Sequence, residues 1–203
     1  MVQRRLLVFG LVLLAAGAPA IPVLAAGDPT AVVADFGDHM LQMLNDPQLS
    51  PAERQKRFGA LLDKDFDFAK IGRFVLGRYW QTATEEQKQE FAPVFRDYVV
   101  QSYSVRFGEF TGASFKVTGQ RPESPTSTIV STTVMQRNSS TPAHVDWRVS
   151  TDAGSPKITE VIVDGISMSL THRQEFASMI ERSGGGVTGL IAELKAKTNI
   201  ARQ

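Results

Sequence analysis

From residue 30 to residue 45, Val33, Phe36, Met40 and Met43 recur at intervals of three and four, the spacing that keeps one helical face out of water. Asn45-Asp46-Pro47 ends that helix, and Ser50-Pro51-Ala52-Glu53 opens the next with a capping box that turns Phe58, Leu61 and Leu62 inward. A third, short helix starts near Asp67 and runs through Ile71, Phe74 and Val75 towards Gly77. Thr84-Glu85-Glu86-Gln87 is a second capping box, with two acids at the positive helix end. It begins the longest apolar stripe: Phe91, Val94, Phe95, Tyr98, Val99 and Val105. Pro93 lies inside that stripe, removes one backbone hydrogen bond and predicts a bend.

After Gly112 the period changes from three or four to two. Phe115 and Val117 alternate with Ser114, Lys116 and Thr118, and Val130, Thr132 and Val134 follow. Val145, Trp147 and Val149 then alternate with His144, Asp146 and Arg148. Residues 157–164 carry apolar side chains on both faces, so that strand should be central or covered on both sides. The links at residues 137–142 and 152–154 are too short for crossover helices and predict an antiparallel meander. Two closing helices, one with Phe176, Met179 and Ile180 inward and one with Val187, Leu190, Ile191 and Leu194, flank Gly184-Gly185-Gly186. The pattern specifies one α+β domain: a curved antiparallel sheet of about four strands packed against N- and C-terminal helices.

Residues 1–25 read as a secretory signal peptide, in which Arg4 and Arg5 precede an apolar run over residues 6–18 and small residues lie near a cleavage point after Ala25 or Ala26. That run is short and flanked by Pro19 and Pro22, so cleavage is expected rather than a membrane anchor. Residues 26–203 then form the working domain, exported by the general secretory route to the periplasm. The chain has no cysteine, which excludes disulfides, thiolate metal sites, a cysteine nucleophile and a cysteine-borne lipid anchor. Of 22 basic residues, Arg4 and Arg5 leave with the leader, so 20 face 21 acidic ones and nucleic acid is not an expected partner.

Little catalytic chemistry is legible. Asp63, Asp65 and Asp67 copy the first acids of a calcium loop, but Phe68 and Phe74 stand where its glycine and glutamate belong. His39, His144 and His172 are scattered, so no metal or other cofactor is expected. Gly165-Ile166-Ser167-Met168-Ser169 begins like a nucleophile elbow but lacks the closing glycine, and a meander offers no strand-to-helix turn for its serine. Gly184-Gly185-Gly186 lacks the Lys-Ser or Lys-Thr of a phosphate loop. Asp146, Glu160 or Asp164 would serve as a lone base in a cone-shaped enzyme if it pointed inward, although alternation against Trp147 puts Asp146 on the wet face. These residues alone leave an α+β domain of unassigned role, with a small-molecule enzyme or a non-catalytic envelope interaction module as readings. The apolar stripes, with Met135, Met168 and Met179, fit either a packed core or a cavity wall.

Two blocks of sequence narrow this. Phe74-Val75-Leu76-Gly77-Arg78-Tyr79-Trp80, followed by Phe91 and Phe95 and by Asp97-Tyr98-Val99-Val100, forms the first. Val145-Asp146-Trp147-Arg148-Val149 with Val163-Asp164-Gly165-Ile166-Ser167-Met168 forms the second. Together they resemble the MlaC-like, toluene-tolerance family of periplasmic phospholipid-binding proteins, and Arg173-Gln174-Glu175-Phe176-Ala177-Ser178 is most similar to its hopanoid-associated HpnM branch. The resemblance implies a non-catalytic carrier of a phospholipid or a hopanoid. Its implied partners are an inner-membrane ABC transporter bearing an MCE-type ring and an outer-membrane lipoprotein complex. Family blocks and inward-facing pattern together nominate Phe74, Val75, Tyr79, Phe95, Tyr98, Val134, Val145, Trp147, Val163, Ile166 and Met168 as lining an apolar cavity. Arg78, Arg148 and Arg173 are nominated for a head group or an acidic partner. Each methylene hidden from water is worth about 0.8 kcal/mol, so a lipid must be shielded throughout an aqueous passage.

Overall fold

Both capping boxes form as their sequences require. The Ser50 hydroxyl accepts from the Glu53 amide while the Glu53 carboxylate accepts from the Ser50 amide, and Thr84 and Gln87 repeat the exchange. The computed structural model describes residues 27–200, so the expected signal peptide lies outside the described residues. The helices are α1 Pro29–Asn45, α2 Pro51–Asp65, α3 Phe68–Leu76, α4 Tyr79–Thr82 and α5 Glu85–Ser104, then a 3-10 turn at Phe107–Phe110. The strands β1 Ser114–Ser124, β2 Ser127–Met135, β3 Ala143–Ser150, β4 Lys157–Val163 and β5 Ile166–Ser167 follow, and α6 Met168–Ser183 and α7 Gly186–Ile200 close the chain. Among the described residues no helix is long and apolar enough to cross a membrane.

The sheet is an antiparallel meander in the order β1-β2-β3-β4-β5. Its fifth strand is the addition to the expected four. Asp164 (φ 47°) and Gly165 (φ 83°) both adopt positive φ, the requirement of a two-residue hairpin loop, and fold Ile166 back onto Val163. β5 then runs straight into α6, whose N-cap Ser167 accepts from the Leu170 amide. A strand-to-helix turn therefore exists at Ser167, contrary to the expectation from a pure meander. The hairpin at Asp164 and Gly165 creates it, and the sequence hid it because a two-residue strand cannot show a period.

Two apolar clusters lie on either side of the sheet-to-helix boundary. In the first, α1 covers the concave face of the sheet and α2 packs against α1: Phe36 meets Trp147 edge to face, with centroids 5.5 Å apart, and Phe115 meets the same indole at 6.2 Å. Gly37 makes this approach possible, since a side chain there would collide with the Phe115 ring. Trp147 donates its indole N–H to the Thr132 hydroxyl (2.9 Å), which donates onward to the Val145 carbonyl, so no buried polar atom of this trio is left unpaired. The second cluster joins α3, α5, α6 and α7 around Phe91, Phe95 and Phe176, all fully buried. The α5 helix runs unbroken through an exposed Pro93, and Val105, expected on its inner face, is its exposed C-cap. Gly184 stops α6 in the left-handed conformation.

Candidate functional site

The registers align one row of side chains across the concave face: Val117, Thr132, Val145, Val163 and Ile166. Paired residues of an antiparallel sheet project to the same side, so this row is continuous. Its burial changes systematically. Thr132 and Val145 are buried, Val163 is half-buried, and Ile166 on the edge strand is 60 % exposed. The neighbouring row places Phe115 opposite Val134, both half-buried. Among the described residues, fourteen partly buried apolar side chains border this first cluster against six around the second, which makes the sheet side the looser of the two.

The nominated lining residues divide between these environments. Val134, Val145, Trp147 and Val163 belong to the concave sheet face, and Ile166 ends it at the edge. Val75, Phe95 and Tyr98 are buried in the helical cluster, and Tyr79 packs at its margin. Phe74 is 42 % exposed, because Gly72, Val75 and Leu76 occupy the inward face of α3 and leave residue 74 turned out. Met168 is half-buried at the start of α6. Phe115, Val117 and Val161 share the sheet face and were absent from the sequence-based set, although the period of two that marked β1 and β4 carries them.

Two clefts on the helical side of the described residues stand out, and the side chains lining them are not those of the sheet row. The first, about 470 Å³, lies outside α3 against α6 and the start of α4, lined by Lys70, Arg73, Arg78 and Arg173 with Phe74, Gly77 and Gln81. The second, about 130 Å³, lies between α5 and α7 beside Gln101 and Thr198. The apolar lining expected from the resemblance lies instead on the sheet side. There, half-buried side chains lie between the sheet, α1 and the 3-10 turn.

The nominated cations also part company. Arg148 is held by Glu123 through two bonds of 2.6 and 2.9 Å, and this fork holds the Glu123 carboxyl at about 2. Arg78 donates to Glu181 and to the Tyr79 hydroxyl, both at 2.7 Å. Arg173 lies over the Phe74 ring, 5.2 Å from its centre. Each candidate base is occupied as well. Asp146 accepts from the Ser131 hydroxyl (2.6 Å) and Asp164 from the His144 amide (2.9 Å). Glu160 is buried and accepts from the Ser167 and Ser169 hydroxyls and from the Val161 and Ser169 amides. It is an anchor for the positive end of α6.

The calcium-loop acids have three separate roles. Asp67 caps α3, Asp63 pairs with Arg96, and Asp65 is buried, which raises its carboxyl above the usual range. His172 lies between the clusters, its Nε2 3.3 Å from the Tyr103 hydroxyl and its Nδ1 3.6 Å from Glu175. Burial lowers its imidazole below the ordinary value, while Glu175 opposes the shift. Burial, reinforced by Glu175, pushes Tyr98 up to about 12.

This architecture is shared with solved proteins. The phospholipid-binding protein from Ralstonia solanacearum, solved in complex with a phospholipid, is 24 % identical and superposes with a TM-score of 0.74 over 87 % of this chain and 100 % of its own. A family model described as MlaC protein matches residues 34–196, the span from α1 into α7. The chain belongs to the MlaC protein family.

Proposed function

We propose that this protein is a non-catalytic periplasmic carrier that takes the acyl chains of a phospholipid between the concave face of its sheet and the helices covering it. The observation that carries this reading is the graded row from buried Val145 through half-buried Val163 to exposed Ile166, an apolar path that begins at the open edge of the sheet. Family membership and the phospholipid held by the Ralstonia solanacearum protein support the same cargo. Loading requires α1 and the 3-10 turn to part from the sheet, where the side chains are only half-buried. Cargo passes between an inner-membrane ABC transporter with an MCE-type ring and an outer-membrane lipoprotein complex. The hopanoid reading of the same site follows from the Arg173-Gln174-Glu175-Phe176 resemblance.

A bilayer and an apolar pocket offer hydrocarbon nearly the same environment, so transfer is close to balanced and direction comes from the partners. The test is uptake of a fluorescent phospholipid from vesicles by the parent and by Ile166→Asp and Val163→Asp. Ile166 is exposed, so its change should leave the melting temperature nearly unaltered while slowing uptake several-fold. Uptake at the parental rate in both variants would refute the proposed path.

A further inference from the structure

The cationic cleft outside α3 is not explained by a cargo path on the other side of that helix. Four basic side chains converge on its volume of about 470 Å³, and no acidic residue lines it. Two of the four are neutralised from outside: Lys70 by Asp152 at 2.6 Å and Arg78 by Glu181 at 2.7 Å. Both pairs are solvent-exposed, and such pairs are weak and readily exchanged. Among the described residues, Arg73 and Arg173 have no carboxylate partner.

The cleft is built rather than accidental. Gly77 has φ 53° and ψ −122°, a conformation that side-chain-bearing residues avoid, and a Cβ there would lie 2.6 Å from Nε of Arg173. The glycine therefore leaves the space that the guanidinium occupies. The Arg173 guanidinium lies over the Phe74 ring, 5.2 Å from its centre, a cation–π contact that uses none of its N–H donors and leaves them available for a ligand. An exposed aromatic wall beside convergent cations, at a volume larger than one inorganic ion needs, suits an anion carrying a substituent.

We infer that this cleft binds a phosphate ester, with Arg73 and Arg173 as the principal ligands and Lys70 and Arg78 completing the charge. The phosphate belongs either to lipid head groups at a membrane surface or to a free phosphate ester. The site stands independently of the cargo path.

Full-length mature protein is titrated with sn-glycerol 3-phosphate by calorimetry, and with vesicles of phosphatidylcholine alone or containing a quarter phosphatidylglycerol by co-sedimentation. Binding to both anionic probes, weakened at least tenfold in Arg73→Gln/Arg173→Gln and by added salt, assigns a site open to free esters. Binding to the anionic vesicles alone, with the same loss in the double variant, assigns head groups as the source. Lys195→Gln, on α7 and paired with Glu90, should bind as the parent does. Gly77→Ala should also weaken binding by displacing Arg173, but the exposed arginines are the decisive test because their loss does not threaten the fold. No binding by the parent, or equal binding by the double variant, overturns the inference. Lipid content measured by native mass spectrometry on the same samples should not change in the double variant, so failure of the carrier reading would be seen separately.

Discussion

Glu160→Ala removes the only carboxylate that joins β4 to the start of α6 in the described structure. Four donors converge on it: the hydroxyls of Ser167 and Ser169 and the amides of Val161 and Ser169, the last at 3.1 Å. The hydroxyls can rotate towards other acceptors, but the two amides cannot. An orphaned buried donor costs about 1–3 kcal/mol, and release of a buried carboxylate offsets part of the sum, so the expected loss is about 2–4 kcal/mol. For a domain of this size that lowers the melting temperature by about 5–15 °C. Glu160→Gln keeps one acceptor oxygen but turns an amide donor towards other donors, and should fall between the parent and Glu160→Ala. Calorimetry on all three, with phospholipid uptake measured below the transition, checks both halves of the argument. Stability within about 0.5 kcal/mol of the parent would refute the anchoring role. Parental stability together with lost turnover of some small molecule would instead favour the cone-shaped enzyme.

His172 predicts a pH dependence of stability with a definite sign. Its folded imidazole titrates below the unfolded one because burial disfavours the cation. The unfolded chain therefore binds the proton first as pH falls below about 6.5, and stability declines until the folded value is reached. His172→Gln should flatten that decline in melting temperature between pH 7 and pH 5, and an unchanged slope would contradict the assignment. Glu123 acts at lower pH: it is held at about 2 by Arg148, so its contribution is complete above the unfolded value near 4.5 and is lost as pH falls towards 2. The pair is about one-third exposed, and solvent screening limits its contribution to about 1 kcal/mol or less, read as a shallower acid limb in Glu123→Gln.

What the sequence made legible was local. Ser50 with Glu53, and Thr84 with Gln87, announce helix starts because each box is closed within four residues. The change to a period of two after Gly112 likewise revealed the meander. Elements too short to repeat their own period were illegible: α4, the 3-10 turn and β5, the last of which exists through pairing with Ile162 and Val163. The Asp164-Gly165 loop was a readable hairpin signal that the resemblance to an elbow obscured.

The candidate site was half legible for a different reason. Apolar periodicity tells which side of an element is dry, not which of two cores receives it. Val75 and Phe95 therefore looked the same as Val145 and Trp147, though the first pair packs among helices and the second against the sheet. The cleft was hidden more deeply, because Lys70, Arg73 and Arg173 converge only once α3 and α6 lie side by side. The sequence resemblance had singled out Arg78 and Arg173, two of its cations, but not that Lys70 and Arg73 would join them.

Native mass spectrometry of the mature protein, purified without detergent from its own envelope, tests the carrier reading most directly. The account predicts a population heavier than the polypeptide by the mass of a phospholipid, released on unfolding and identified in the extract. Protein of bare polypeptide mass, which also takes up no phospholipid from vesicles, would contradict it.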